Sequence, residues 1–472
     1  MRIQELQGRR VLVVGLARSG VAAAEFLVRR GAQVRVTDLR TEEELPAELS
    51  GLKRAGVELI LGSHPSGLVS GMDLVIVSPG VPLHAPPLRE ARAKGVPLWG
   101  ELELGFRQIQ GEVIAVTGTK GKSTTASLIA EILKRSGRSV YLGGNIGQPL
   151  IGLVERASRD SVFVVEVSSF QLETIESFRP RIAVLLDVTP DHLDWHPSFE
   201  AYVQAKQRIF TNQEAGDWAV VYGGNPLTLD MASKARSKKI YFSYEGLSDL
   251  ERKIRVEGPW IVRSDSGETR PLVRLESIPL KGRHNVENIM AALGVASVVD
   301  IEPELLALAV GDFSGVPHAL ERVGELDGVA FYNDSKATNL AAASAALESF
   351  DSGVFLILGG RSKAGDFKSL RSHVKRKVKR VLAIGESKHL IETALGDLVP
   401  VVACRSLKQA VETAFRNARP GDTVLLSPAC ASFDMFTDYA ERGERFREEV
   451  EKLAKRNGRV RSNCGEESNG KD

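Results

Sequence analysis

The sequence predicts an α/β protein of three open-sheet domains, and three observations lead there. The chain has 472 residues, too long for one hydrophobic core. Short apolar runs alternate with helix-period patterns, which argues for parallel strands covered by helices. An apolar run at 113–116 leads into Thr117-Gly118-Thr119-Lys120-Gly121-Lys122-Ser123-Thr124 and then a helical pattern. That loop lies far enough along the chain for a complete domain to precede it.

The first domain, 1–109, has apolar runs at 11–14, 34–37, 59–60 and 74–77. The first run ends at Gly15-Leu16-Ala17-Arg18-Ser19-Gly20 and the second at Asp38. A Gly-rich first turn with an acid closing the second strand is the Rossmann-like, dinucleotide-type layout. A tight strand-to-helix turn with an N-capping Asp fits the same residues, and both readings stay open. Ser78-Pro79-Gly80 adds a loop at the carboxyl edge of that sheet, where open α/β folds place ligands.

The second domain, 110–312, opens on a shortened P-loop: the usual pattern asks for Gly where Val116 stands. Backbone N–H groups of such a turn, with a helix N-terminus behind it, form a site for a nucleotide triphosphate. Lys122 would reach the β- and γ-phosphates and Ser123 would ligate Mg²⁺. This predicts a P-loop ATPase-like parallel sheet. Further strands are expected at 162–167, 182–187 and 218–222, irregular β structure over 236–280, and a helix over 284–299. Glu166 closes one strand, where a second oxygen ligand for Mg²⁺ is wanted; a solvent-facing Glu is the plain alternative. The strand after it runs into Thr189-Pro190-Asp191-His192-Leu193-Asp194, on the same side as the P-loop. His192 is a candidate ligand or hydrogen-bond group, or a structural histidine. Lys206, two turns into a helix starting at Phe199, would by itself be a solvated lysine. Asn285 and Asn288 share a helical face, and N-capping explains one of them but not both.

A linker at 311–317 leads to the third domain, 313–455, a Rossmann-like open sheet with strands at 354–358, 381–384 and 423–426. Its strand-end loops are rich in anion-friendly groups: Asn333 to Asn339, Gly359-Gly360-Arg361-Ser362-Lys363, and Ser427 to Phe433. Residues 456–472 are polar and expected to be a disordered tail.

Lys plus Arg number 62 and Asp plus Glu 60, so bulk attraction to nucleic acid or membranes is not expected. No stretch approaches a transmembrane span. Cys404, Cys430 and Cys464 form no CxxC pair, which fits a reducing, cytoplasmic compartment and leaves no Cys-type zinc site.

Eight strings in order complete the reading: GTKGKST (Gly118 to Thr124), GNIG (Gly144 to Gly147), EVSSFQLE (Glu166 to Glu173), TPDHLD (Thr189 to Asp194), YVQAK (Tyr202 to Lys206), GRHNVEN (Gly282 to Asn288), NDSKATN (Asn333 to Asn339) and SPACASFD (Ser427 to Asp434). Together the series resembles the Mur ligases over nearly the whole chain, and EVSSFQLE and NDSKATN favour the branch that adds D-glutamate. The resemblance implies a UDP-binding first domain, a central ATPase-like domain and a C-terminal domain that closes over substrates. It implies a cytoplasmic monomer acting on UDP-N-acetylmuramoyl-L-alanine and D-glutamate with ATP and two Mg²⁺ ions. The implied catalytic residues are Lys122, Glu166, His192 and Lys206. Metal would be held by Ser123, Glu166, His192 and a CO₂-derived carbamate on Lys206. ATP would lie on Gly118, Thr119, Lys120, Gly121, Lys122, Ser123, Thr124, Asn285, Asn288, Asp334 and Lys336. The UDP substrate would meet Leu16, Ala17, Arg18, Asp38, Leu39, Ser78, Gly80, Asn145, Ser168 and Gln171. D-Glutamate would meet His192, Thr338, Lys363, Ser432, Phe433 and Tyr439. Three departures stand out: Lys120 where the family often has Asn, Ala319 where an Arg usually follows Pro317-His318, and replacement, around Arg361, of the Asp often found after the Gly-Gly pair. A sister Mur ligase, a folylpolyglutamate-type synthetase and a catalytically silent nucleotide binder are the competing readings. An NAD(P)-dependent oxidoreductase would leave the P-loop, Glu166, His192 and Lys336 without a task.

Overall fold

The computed structural model describes residues 5–45, 49–193, 195–245, 247, 250–280, 282–362 and 366–457. Asp194, Lys363 and the tail from 458 lie outside the described residues. Among the described residues three sheets carry the chain, each mainly parallel. Residues up to Phe313 form one compact unit and those from Ser314 a second.

The first sheet runs Glu58–Leu61, Gln33–Asp38, Arg10–Val14, Leu74–Val77, Leu98–Gly100, all parallel. This is the doubly wound order, and Arg10–Val14 beside Leu74–Val77 marks the topological switch point. The two loops that the sequence singles out, after Val14 and after Val77, therefore flank the ligand crevice of such a sheet. All four residues of Leu74–Val77 are buried, as expected of a strand covered on both faces.

The second sheet has nine strands, with Glu112–Thr117 held between Ile182–Leu185 and Val162–Glu166. Residues 236–280 are more regular than expected. Lys238–Phe242 and Lys253–Glu257 continue the parallel sheet, and Trp260–Asp265 and Glu268–Arg274 extend it in antiparallel pairing. The turn residues at Gly258 and Gly267 join these strands as hairpins, so the turn signals mark a meander rather than loss of structure. The helix Arg283–Val298 packs across this sheet with Lys122–Arg135.

The third sheet, in the second unit, runs Glu321–Leu326, Val329–Asn333, Thr423–Leu426, Val354–Gly359, Val378–Ile384, Val401–Ala403. Only its first pair is antiparallel. Apolar clusters cover both faces, and all six residues of Val354–Gly359 are buried. The closing helix is Tyr439–Arg456.

Within the first unit, the short helix Glu101–Phe106 connects the first two sheets. Its fully buried Glu103 accepts the backbone N–H groups of Glu176 (3.0 Å), Ser177 (2.9 Å) and Phe178 (3.0 Å), and pairs with Arg107 at 2.7 Å. Leaving those donors unmet costs about 1–3 kcal/mol each. Glu103→Ala is expected to lose roughly 3–5 kcal/mol, read as a lower urea midpoint for the first unit.

Candidate active site

Parallel pairing brings three carboxyl ends together: the loop after Thr117, Glu166 closing Val162–Glu166, and the segment after Leu185. Gly121 N-caps the helix Lys122–Arg135 at φ +83°, and a Cβ there would overlap the Asn288 side-chain amide. At Gly118 a Cβ would stand 2.6 Å from that of Leu186. Both glycines are thus required by close approach, one to the neighbouring strand end and one to the helix Arg283–Val298. Asn288 donates to Asn285 Oδ1 at 3.3 Å, and both lie buried at the start of that helix. This accounts for the pair that N-capping leaves unexplained.

Lys122 Nζ donates to the carbonyls of Gly118 (3.0 Å) and Thr119 (2.7 Å). Ser123 Oγ donates to Glu166 Oε2 at 2.6 Å, and Asn145 Nδ2 to Glu166 Oε1 at 2.7 Å. Glu166 is 3 % exposed, so the solvent-facing reading fails. Asn145, expected on the UDP side, has its amide on this carboxylate. Thr119 is held by its N–H on Asp187 O (2.9 Å) and its hydroxyl on Thr189 O (3.0 Å). Lys120 is exposed, and Thr124 lies half-buried in the first helical turn.

Lys206 is not a solvated lysine. It is 2 % exposed, donates to Gly118 O at 2.8 Å, and lies 4.6 Å from the centre of the Tyr202 ring. Two ammonium groups, those of Lys122 and Lys206, therefore share one carbonyl. Burial first, and the Lys122 charge second, pull the Lys206 pKa down to about 7. Tyr202, whose hydroxyl meets Thr119 Oγ1 at 3.1 Å, is pushed up to about 12 by its burial.

His192 is half-exposed in a left-handed turn at φ +53°, edge-on to Phe170 with ring centres 5.0 Å apart. The sequence reading missed His196, four residues on. It is buried, with Nε2 2.9 Å from Ser169 Oγ and its ring stacked on Phe170. A second His in TPDHLDWHP was the available signal. Ser168 and Gln171 satisfy each other in a capping box that starts the helix Ser169–Leu172.

In the first sheet, Asp38 accepts the Leu16 N–H (2.6 Å) and two guanidinium bonds from Arg40 (2.9 and 3.0 Å). Burial works against its charge, but the Arg40 and Leu16 bonds win and hold it near 2. The N-capping alternative fails, because Thr41 caps the following turn. Ser78 Oγ donates to Gly15 O at 3.0 Å, Gly80 has open space where a side chain would be, and Leu39 is exposed. Arg18, next to the helix cap Ala17, reaches the carbonyl of Gly147 in the GNIG loop.

In the second unit, adjacent strands release the loops that contain Asp334, Lys336 and Thr338, and Ser432 and Phe433. Asp334 accepts Ser427 Oγ (2.8 Å) and the Leu320 N–H (3.1 Å), and burial raises it to about 7. Ser432 is buried, while Phe433 and Tyr439 are exposed. Ala319 sits in a turn between left-handed His318 and Leu320, and Arg322 is paired with Glu325, so that arginine does not stand in for the missing one. Arg361 is paired with Glu386 through two hydrogen bonds (3.0 and 3.2 Å).

Three family descriptions match the chain: "Mur ligase MurD-like, N-terminal domain" at 9–100, "Mur ligase middle domain" at 116–296, and "Mur ligase, glutamate ligase domain" at 320–430. The UDP-N-acetylmuramoylalanine–D-glutamate ligase of Acidobacterium capsulatum is 46% identical over 447 residues, covering 94% of this chain and 97% of that protein. The protein of the same name from Pelotomaculum thermopropionicum is 45% identical over 455 residues, covering 96% and 100%. Among solved structures, UDP-N-acetylmuramate-alanine ligase MurC of Thermotoga maritima aligns with TM-score 0.58 at 18% identity, covering 94% and 99%. Thermotoga maritima MurF ligase in complex with ADP aligns at 0.56 and 18% identity, covering 96% and 97%. At such identity the structures speak for the fold alone.

Proposed function

The chain belongs to the Mur ligase family, and from its site we propose that it joins D-glutamate to the carboxylate of UDP-N-acetylmuramoyl-L-alanine at the expense of ATP. One observation carries most weight. A buried, easily deprotonated Lys206 shares the Gly118 carbonyl with the P-loop Lys122, beside the Ser123–Glu166–Asn145 chain. We place the domains at 1–109, 110–312 and 313–455.

A carboxylate does not react with an amine until it is activated. Transfer of the γ-phosphoryl group from ATP makes the acyl phosphate, and Lys122 spreads the developing charge. The D-glutamate amine then attacks, and collapse of the tetrahedral intermediate expels phosphate. The donor set fits Mg²⁺: Ser123 Oγ and Glu166 are hard oxygen ligands, joined already by a hydrogen bond. Among the described residues no cluster of three acidic, His or Cys side chains forms a metal cage. Mg²⁺ ordinarily keeps waters and substrate phosphate oxygens among its ligands. Bound there, Mg²⁺ would neutralise phosphate charge. A second ion near His192, where the Asp191 carboxylate lies 3.7 Å from the ring, would gain a further oxygen donor if Lys206 provided one. The neutral amine can add to CO₂, forming an N–C bond and releasing one proton, and the resulting carbamate is such a donor.

UDP is assigned to the crevice of the first sheet: Leu16, Ala17, Arg18, Asp38, Leu39, Ser78 and Gly80. The open switch-point edge supports this. Ser168 and Gln171 act there by shaping the backbone, since their side chains bond each other. D-Glutamate is assigned to Thr338, Ser432, Phe433 and Tyr439 of the second unit, with Lys363 and His192. No described helix is long and apolar enough to cross a membrane. From the family to which the chain belongs we infer a cytoplasmic monomer acting on small molecules.

Phosphate release from ATP with UDP-N-acetylmuramoyl-L-alanine tests the reading. Turnover is expected with D-glutamate and not with L-glutamate, L-alanine, L-lysine or meso-diaminopimelate. Turnover with another amino acid instead would move the protein to a sister activity. None with any would end the ligase reading.

A further inference from the structure

Arg442, in the first turn of Tyr439–Arg456, is the largest fully buried side chain among the described residues, at 1 % exposure. Its Nε donates to Ser335 Oγ (2.9 Å), Nη2 to Ser335 O (2.8 Å) and Nη1 to Cys430 O (3.1 Å). Among the described residues it forms no ion pair. Arginines buried this completely are ordinarily paired with a carboxylate, so the absence of one needs a reason.

The bonding partners identify the place. Ser335 belongs to the loop after Val329–Asn333, and Cys430 to the loop after Thr423–Leu426. The third loop is joined to the second by paired backbone bonds between Arg361 and Ala431 (2.9 and 3.0 Å). A methyl group on Gly360 would come within 3.4 Å of Nη1. The guanidinium therefore bonds two of the strand-end loops, the ones that contain Lys336, Thr338, Ser432 and Phe433, and lies beside the third. The nearby carboxyls form no ion pair with it among the described residues. Asp334 is pushed towards its neutral form by burial, and Asp434, which attracts the guanidinium from a distance, accepts the Glu386 N–H with Oδ2 at 2.9 Å. Burial draws the guanidinium itself down to about 10, well above neutral pH, so it stays charged.

We infer that Arg442 is a positioning residue for the amino-acid substrate: it ties two of the three loops together beside the third and leaves behind them a positive charge that draws an incoming carboxylate. The inference rests on the assignment of D-glutamate to these loops, and it adds a residue that does not itself touch the substrate.

The test compares wild type, Arg442→Lys and Arg442→Met for the KM of D-glutamate, of the UDP substrate and of ATP, together with thermal midpoint. Both variants are expected to melt earlier, since each loses loop hydrogen bonds. The KM for D-glutamate is expected to rise roughly tenfold or more in R442M and only about threefold or less in R442K, with the other two KM values little changed. Should R442M not fold, R442Q, which keeps hydrogen bonds but not charge, takes its place. Equal KM rises in the Lys and neutral variants, or earlier melting with no KM change, would reduce Arg442 to packing and overturn the inference. Wild type without D-glutamate turnover is a separate result, seen before any variant is made; it removes the substrate assignment and this inference with it.

Discussion

Lys206→Ala is expected to cut turnover by about 10²–10³-fold, and bicarbonate is expected not to restore it. The magnitude is that of removing one preorganised charged group from a phosphoryl-transfer site. The origin is specific to this lysine. It is buried, it faces a second ammonium across the Gly118 carbonyl, and its pKa sits at about 7 rather than the usual 10.5. An amine with that pKa is about half neutral at pH 7, whereas an ordinary lysine is almost wholly protonated. Only the neutral form adds CO₂. Wild type prepared in CO₂-free buffer should therefore lose activity, and bicarbonate should return it faster at pH 8 than at pH 6. Stability gives an independent readout on the unmodified protein. Because the folded-state pKa is lowered, the unfolded chain binds more protons between about 7 and 10.5, so stability rises with pH across that window. Lys206→Met should flatten that slope. Full activity of K206A in CO₂-free buffer would remove Lys206 from the chemistry.

The parts of this site that could be read from the sequence are those fixed by local order. A strand, a Gly-rich turn and a helix in succession determine where Lys122 and Ser123 point, so GTKGKST is informative on its own. Glu166 was legible because it ends an apolar run, and parallel pairing returns every strand end to the same edge. Lys206 was marked by the resemblance alone; its burial was not legible, because it comes from the fit of its helix against the Gly118 loop, a contact between residues far apart in the chain. His196 and Glu103 were hidden for the same reason: each is defined by partners on other elements. Arg442 is the clearest case. In sequence it is one more charge in a helix dense with Glu and Arg, and nothing local distinguishes it from its exposed neighbours. The meander after Phe242 shows the opposite limit, where local turn signals were present but the edge strand they extend was not visible.

Glu166→Gln should lower kcat by about 10²–10³-fold at low Mg²⁺ and raise the Mg²⁺ concentration needed for half-maximal phosphate release. The substitution is nearly isosteric. Its carbonyl oxygen can keep one of the two hydrogen bonds, from Ser123 or from Asn145, so the loop geometry is largely retained. What it removes is the negative charge on which the proposed Mg²⁺ site at Ser123 and Glu166 depends. Asn145→Ala leaves the charge in place and takes away only the group that orients it, so a smaller loss, about 10–100-fold, is expected. The two effects should not add, because the amide acts through the carboxylate: in E166Q the further loss on removing Asn145 should shrink to a few-fold. Excess Mg²⁺ should recover part of the N145A defect, where the binding group survives, and little of the E166Q defect. If E166Q keeps wild-type Mg²⁺ dependence, the carboxylate is a structural anchor for the P-loop helix and the metal lies elsewhere. If N145A is as damaging as E166Q and the losses add, Asn145 meets the substrate directly, which returns it to the UDP-substrate side where the sequence first put it.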